Sequence, residues 1–201
     1  MNKGFCVWFT GLSASGKTTL SRLLEGELLE RGVPVQVLEG REIRDRLSSE
    51  LSYSKKDRET HLGRISFVTR LLVQNGVAVL VAAAISPFQT VRDEARAEIG
   101  DFVEVYLDCP LEVCRERDPK GLYRQALSGE IQYLPGINVL YEIPKKPELI
   151  IQTHLQGPED SLAQIVRALE ILGKIPSLPG EEFTGEESEV IRKRLTDLGY
   201  L

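Results

Sequence analysis

The chain has 201 residues, 42% of them hydrophobic and 27% charged, and a formal net charge of −5. That is enough apolar material for one ordinary domain with a real core, and it excludes an intrinsically disordered chain. The acidic balance argues against a broad nucleic-acid-binding surface, and three cysteines, an odd and low number, argue against a disulfide framework.

Short apolar runs alternate with helical patterns along the chain. FCVWFT (5–10) is a continuous apolar run that stops at Gly11, as a buried parallel strand would. Leu20, Leu23, Leu24, Leu28 and Leu29 then fall on one helical face between Thr18 and Arg31, with Gly32 as the residue after the C-cap. VPVQVL (33–38) reads as a second strand, 54–75 as a long helix, and VAVLVAAAI (77–85) as a third strand. A helix over 88–99, a strand over 102–107 and a short helix over 109–117 follow, the last with Pro110 as its first residue. ELIIQT (148–153) is a fifth strand and 158–172 a closing helix. This alternation predicts an α/β fold of three layers around a central parallel sheet. Residues 118–147 break it with four prolines and no strong periodicity, and are read as a lid. The domain is placed at 1–175. Residues 174–185 read as a linker, and 186–201 as a short tail helix with Val190, Ile191, Leu195 and Leu198 as its apolar stripe. That tail either packs back on the domain or binds a partner. The first residues hold too few apolar side chains for a leader or a membrane span, so the protein is expected to be soluble and cytoplasmic, with no membrane or nucleic-acid partner.

The sharpest motif is Gly11-Leu-Ser-Ala-Ser-Gly16-Lys17-Thr18, a G-x-x-x-x-G-K-[ST] loop between a strand and a helix. Gly11 and Gly16 permit backbone angles that turn amide N–H groups toward phosphates, and the helix N-terminus adds partial positive charge. Lys17 neutralises phosphate, and the Thr18 hydroxyl is placed for Mg2+. The loop alone says only that a nucleoside triphosphate binds; no N/T-K-x-D guanine motif is present, so a small-molecule kinase with P-loop architecture and a water-excluding lid fits better than a GTPase.

Beyond that loop, FTGLSASGKTT (9–19), SKKDR (54–58), ISPF (85–88), VRDEAR (91–96), VEVYLDCPLEVCRERDPKGLY (103–123) and SGEI (128–131) resemble the adenosine 5′-phosphosulfate (APS) kinases, over about residues 3–173. The resemblance implies transfer of the ATP γ-phosphoryl group to the 3′-hydroxyl of APS, with Mg2+, in sulfate assimilation. It implies nucleotide contacts from Gly11, Ser13, Ala14, Ser15, Gly16, Lys17, Thr18, Thr19 and Arg117. On the acceptor side it implies the pair Arg44 and Arg58, with Tyr53, His61, Ile85, Ser86, Lys120, Leu134, Gly136 and Ile137. Ser86 is a position where a phosphoserine has been described in bacterial members, although in-line transfer needs no serine nucleophile and a substrate contact is the favoured role. Asp108 matches an acidic position, read either as a cap for the next helix or as a second-sphere magnesium group. A homodimer and a sulfate adenylyltransferase partner are further implications.

Four positions depart from the family pattern. Its Asp-Gly-Asp triplet is Glu39-Gly40-Arg41 here, which leaves Glu39 to carry the acid–base or magnesium-linked role alone, because an arginine takes no proton at neutral pH. His61 stands for an asparagine, with a charge able to vary near neutral pH, or else as a solvent-facing helix residue. Leu134 stands where the second of two adenine-stacking aromatics belongs, Tyr53 being the first. Gln89 stands for an arginine. Two other readings therefore stay open at this level: a kinase for the 3′-hydroxyl of a different nucleotide 5′-derivative, and a non-catalytic nucleotide-binding regulatory domain.

Overall fold

A computed structural model describes residues 3–82, 85–177 and 185–201. Five parallel strands form one sheet in the order β2-β3-β1-β4-β5, with β1 Phe5–Thr10, β2 Val35–Glu39, β3 Ala78–Ala82, β4 Phe102–Leu107 and β5 Leu149–Ile151. The central strand β1 is buried along its whole length because both sheet faces are covered. Phe5, Val7 and Phe9 point into a core shared with helices α1 (Lys17–Glu30) and α7 (Pro158–Ile171). Cys6 and Trp8 point into a second core shared with α3 (Lys55–Gln74) and α4 (Gln89–Ile99). This is the expected three-layer α/β arrangement, and it brings every strand's carboxyl end, and so the phosphate loop, to one edge.

Local signals end the elements as anticipated in several places. Ser54 caps α3 by accepting the Asp57 N–H at 3.2 Å. Gly32, at φ 69°, closes α1 with its N–H on the Leu29 carbonyl, while the Val33 N–H reaches Leu28. The third strand is described over Ala78–Ala82 and Ile85 lies outside it; Ala83 and Ala84 lie outside the described residues, as does most of the expected linker (178–184). Helix α5 (Leu111–Arg117) starts one residue later than expected, so Pro110 is its N-cap and not its first turn.

Two helices lack a forecast. Helix α2 (Gly40–Leu47) has only Ile43 and Leu47 to pack, one turn apart, against the second core. Helix α6 (Leu122–Leu127) lies inside the lid, and the Asp118 carboxylate accepts the N–H groups of Tyr123 (3.1 Å) and Arg124 (3.2 Å) at its start. The lid shares a small core with α5 and the phosphate loop, in which Cys109, Cys114, Tyr123, Ala126 and Leu134 are buried. The tail forms α8 (Glu186–Asp197), and Ile191 and Leu195 join the first core beside Ile175. Residues 174–201 are thus packed against the domain at both described ends. Val190 does not belong to the apolar stripe, since it is 67% exposed.

Candidate active site

The loop after β1 wraps the N-terminus of α1 with backbone angles that few side chains tolerate. Gly11 has φ 144°, and a Cβ there would stand 2.7 Å from the Leu107 carbonyl oxygen and 2.8 Å from the Ser15 hydroxyl. Gly16 has φ 107° and forms the N-cap of α1. Lys17 is buried and donates its Nζ to the carbonyls of Gly11 (2.8 Å) and Leu12 (2.6 Å). Burial brings its pKa down to about 8, and the Lys120 ammonium pushes in the same direction. The Ser15 hydroxyl is buried without a hydrogen-bond partner.

A cleft of about 730 Å3 opens beside this loop. Ser13, Ala14, Gly16, Lys17, Thr18 and Thr19 line it from the loop and α1, Ile85 from the segment after β3, and Arg117 and Lys120 from the end of α5 and the start of the lid. Thr153 and Gln156 are among the lining residues that have no sequence forecast. Thr153, just past β5, donates its hydroxyl to the Ser15 carbonyl at 2.9 Å, and its own carbonyl accepts Arg117 at 2.7 Å. Gln156 lines the same wall. Their position at the carboxyl edge of the sheet is the only signal that marks them.

The lid is docked on the loop. The Tyr123 hydroxyl donates to the Ser13 carbonyl at 3.0 Å. Gly136, at φ 92°, sits so close to Leu12 and Leu111 that a Cβ would meet them at 3.0 and 3.1 Å. Ile137 packs into the lid core, so this pair joins the lid to the loop and does not line the cleft.

The acceptor-side residues form a separate cluster. The Arg44 guanidinium lies over the Tyr53 ring, 4.1 Å from its centroid, and donates to the carbonyls of Leu51 (2.9 Å) and Ser52 (2.6 Å). Arg58 is on the same ring at 5.4 Å, donates Nε to the Tyr53 carbonyl at 3.0 Å and NH2 to the Tyr133 carbonyl. Burial, with the Arg44 charge, lowers the Arg58 pKa. Glu39 ends β2 and accepts Arg22 Nε at 2.8 Å, while Arg22 NH1 reaches Glu25. The side chain of Arg41 lies outside the described residues.

Five expectations are corrected here. The Ser86 hydroxyl is wholly buried, accepting from Trp8 Nε1 and donating to Thr10 Oγ1, both at 3.0 Å, so it turns away from the cleft and is not placed as a nucleophile. His61 is neither solvent-facing nor poised near neutral pH. It is 3% exposed, with Nδ1 2.9 Å from the Ser48 hydroxyl, and burial among Arg44, Arg64 and Arg58 takes its pKa down to about 4. Leu134 is 4% exposed inside the lid core and offers no face to a base, whereas its neighbour Tyr133 is 43% exposed next to Arg58. Tyr133 escaped notice because position-by-position likeness pointed to Leu134. Asp108 does not cap α5. Its carboxylate accepts the Tyr106 hydroxyl at 3.2 Å. Gln89 ties the 141–145 segment down instead of meeting the cleft: its N–H goes to Glu142 at 2.6 Å and its amide oxygen accepts Arg92 and the Lys145 N–H.

A phosphate loop after the central strand of a parallel sheet, with a cationic cleft and a lid seated on the loop, defines a P-loop kinase. The adenylylsulphate kinase family model matches residues 3–152, and the chain belongs to that family. An adenylyl-sulfate kinase of Rippkaea orientalis (strain PCC 8801 / RF-1) is 48% identical over 171 residues, 85% of this chain and 94% of its own. A probable bifunctional SAT/APS kinase 2 of Sorangium cellulosum (strain So ce56) is 49% identical over 173 residues, and there the chain spans 30% of the relative's length. Among solved structures, the Mycobacterium tuberculosis APS kinase CysC in complex with AMPPNP and APS superposes with a TM-score of 0.79 at 41% identity, over 85% of this chain and 99% of that one.

Proposed function

We propose that the protein transfers the γ-phosphoryl group of ATP to the 3′-hydroxyl of adenosine 5′-phosphosulfate, giving PAPS and ADP. The observation that carries this reading is a complete phosphate loop within a chain that belongs to the adenylylsulphate kinase family over residues 3–152. Lys17 swings from the Gly11 and Leu12 carbonyls to the phosphates, which return to its ammonium the negative partners that burial removed. Lys120 supplies a second cation from the lid side. Arg44 and Arg58 receive the acceptor's phosphosulfate oxygens, for which guanidinium forks are suited, and Tyr53 and Tyr133 offer exposed rings beside them for its base. In the transfer the bond between γ-phosphorus and the β–γ bridging oxygen breaks, a bond to the 3′-oxygen forms, and the hydroxyl proton passes to the Glu39 carboxylate. Arg22 holds that carboxylate at the strand end.

No three His, Cys, Asp or Glu side chains gather as a metal cage among the described residues. The site nevertheless fits Mg2+, which takes few protein ligands when phosphates supply oxygens: the exposed Thr18 hydroxyl opens α1 and lines the cleft. The ion, when bound, neutralises phosphate charge. No helix among the described residues is long and apolar enough to cross a membrane. The proposal includes a cytoplasmic site of action, where the buried thiols of Cys6, Cys109 and Cys114 stay reduced, and assembly as a homodimer.

The test is ADP release with Mg·ATP, comparing APS with a panel of other nucleotide 5′-derivatives. Turnover with APS above all others is expected. Turnover with a different acceptor alone, or ATP binding with no turnover on any acceptor, overturns the reading in favour of a changed acceptor or of a regulatory domain.

A further inference from the structure

The cleft has two ends, and the strand order sets them apart. The phosphate loop follows β1, the middle strand of the sheet. On one side of the loop the cleft is lined by Gly40 and Ile85, from the chain just after β2 and β3. Arg44 and Arg58 lie on α2 and α3, the helices that follow β2. On the other side it is lined by Arg117, from the end of the helix after β4, and by Thr153 and Gln156, just past β5. A triphosphate seated on the loop with its γ-phosphate toward the acceptor therefore lays its base on the β4–β5 side. That end suits a flat apolar group. Leu122 and Pro158 line it, and the planar Arg117 guanidinium is held by the Thr153 carbonyl at 2.7 Å.

Gln156 brings an amide to this end, a donor and an acceptor side by side. Helix α7 fixes which way round the amide sits. The buried Ser161 hydroxyl gives its only proton to the Gly157 carbonyl at 2.8 Å, so toward Gln156 it can only accept. The Gln156 nitrogen therefore faces Ser161, at 3.1 Å, and the Gln156 oxygen accepts the Gln164 amide at 3.3 Å. Among the described residues this leaves one N–H and one oxygen lone pair of Gln156 for a ligand.

We infer that Gln156 selects the base of the phosphoryl donor, telling adenine from guanine with an amide that Ser161 keeps from turning over. The phosphate loop cannot make this choice, because all nucleoside triphosphates share the same phosphates. Adenine carries an amine (N6) where guanine carries an oxygen (O6), each beside a ring nitrogen. The Gln156 oxygen accepts the adenine amine while its nitrogen donates to the neighbouring ring nitrogen. Guanine sets its own oxygen against the amide oxygen. To serve guanine the amide must turn, and its oxygen then faces the Ser161 oxygen, whose proton is committed to Gly157. An unpaired polar contact of this kind is what makes such sites selective. The inference rests on the proposed activity only for the use of a nucleoside triphosphate as donor.

The experiment is calorimetric titration of the full chain with ADP and with GDP, each with Mg2+ and with no acceptor present. The wild type should bind ADP about 5- to 150-fold more tightly than GDP, the span of one good amide–base pair. Gln156→Leu should cut that ratio at least about fivefold, the lower end of the span. Ser161→Ala keeps Gln156 but frees its amide to turn, so the ratio should fall there through a gain in GDP affinity. A merely structural role for either residue would weaken both nucleotides alike and leave the ratio where it was. Equal binding of the two nucleotides by the wild type, or a ratio left unchanged by either variant, overturns the inference. Because no acceptor takes part, a failure to turn over APS overturns the proposed activity alone, and the ratio still decides the role of Gln156.

Discussion

Lys17 holds its ammonium against two carbonyls of its own loop, in surroundings dry enough to bring its pKa down to about 8. Phosphate binds the charged form. Nucleotide affinity should therefore be full below that value and fall as pH rises through about 8, which calorimetric titration with ADP between pH 7 and 9.5 would read. A flat profile would mean that Lys17 does not meet the phosphates. At the end of β2, Glu39→Gln keeps the shape and removes the proton acceptor, so turnover should be lost while ATP still binds. Near-normal turnover would remove Glu39 from the chemistry. His61 makes a different prediction. Its folded pKa, about 4, lies below the unfolded value of about 6.5, so folding favours the neutral ring. The stability this contributes is present above pH 6.5 and drains away as pH falls toward 4. His61→Asn should flatten the decline of Tm over that window. Asp and Glu titrations also act below pH 5, so the comparison with the wild type carries the test.

At the scale of elements, the lid and the phosphate loop are joined because they share packing. Gly136 supplies both a left-handed backbone and the absence of a Cβ where Leu12 and Leu111 close in. Gly136→Ala should cost on the order of 1–3 kcal/mol, since it adds backbone strain to a contact that has no room. It should also weaken nucleotide binding, because Leu12 is the loop residue displaced. Chemical denaturation and ADP titration would check the two effects, and a stable variant with normal affinity would show that the lid is not seated on the loop. The long elements were legible from their residues. FCVWFT announced a strand covered on both faces, and the leucines of α1 announced a single buried face. The short ones were not. Helix α2 buries only two apolar side chains, and α6 depends on a carboxylate cap from Asp118 that no periodicity can reveal.

For the whole molecule, strand alternation was enough to anticipate the parallel sheet and its carboxyl edge, and the Gly11–Thr18 motif to anticipate the phosphate loop. Side-chain direction was not readable in the same way. Ser86 and Leu134 occupy the expected stretches of chain and still point inward, because Trp8 and Thr10 capture one and the lid core takes the other. Long-range partners such as Arg92 with Glu104 also leave no local trace. Arg92→Met should destabilise the fold by about 3–5 kcal/mol, because the buried Glu104 would lose the nearer of its two arginine partners, keeping only Arg96 at 3.6 Å. Adding Glu104→Gln to that variant should recover part of the loss, and urea denaturation of the single and double variants would measure both. The hydrogen bond from Trp8 to Ser86 has one more consequence. Trp8 is the chain's single tryptophan, seated in the central strand and bonded to the wall next to the cleft. The protein therefore carries its own optical probe, whose ultraviolet emission responds to the polarity at that one place. Filling of the cleft and loss of the fold can each be followed in unlabelled protein, by the brightness and the colour of a single indole.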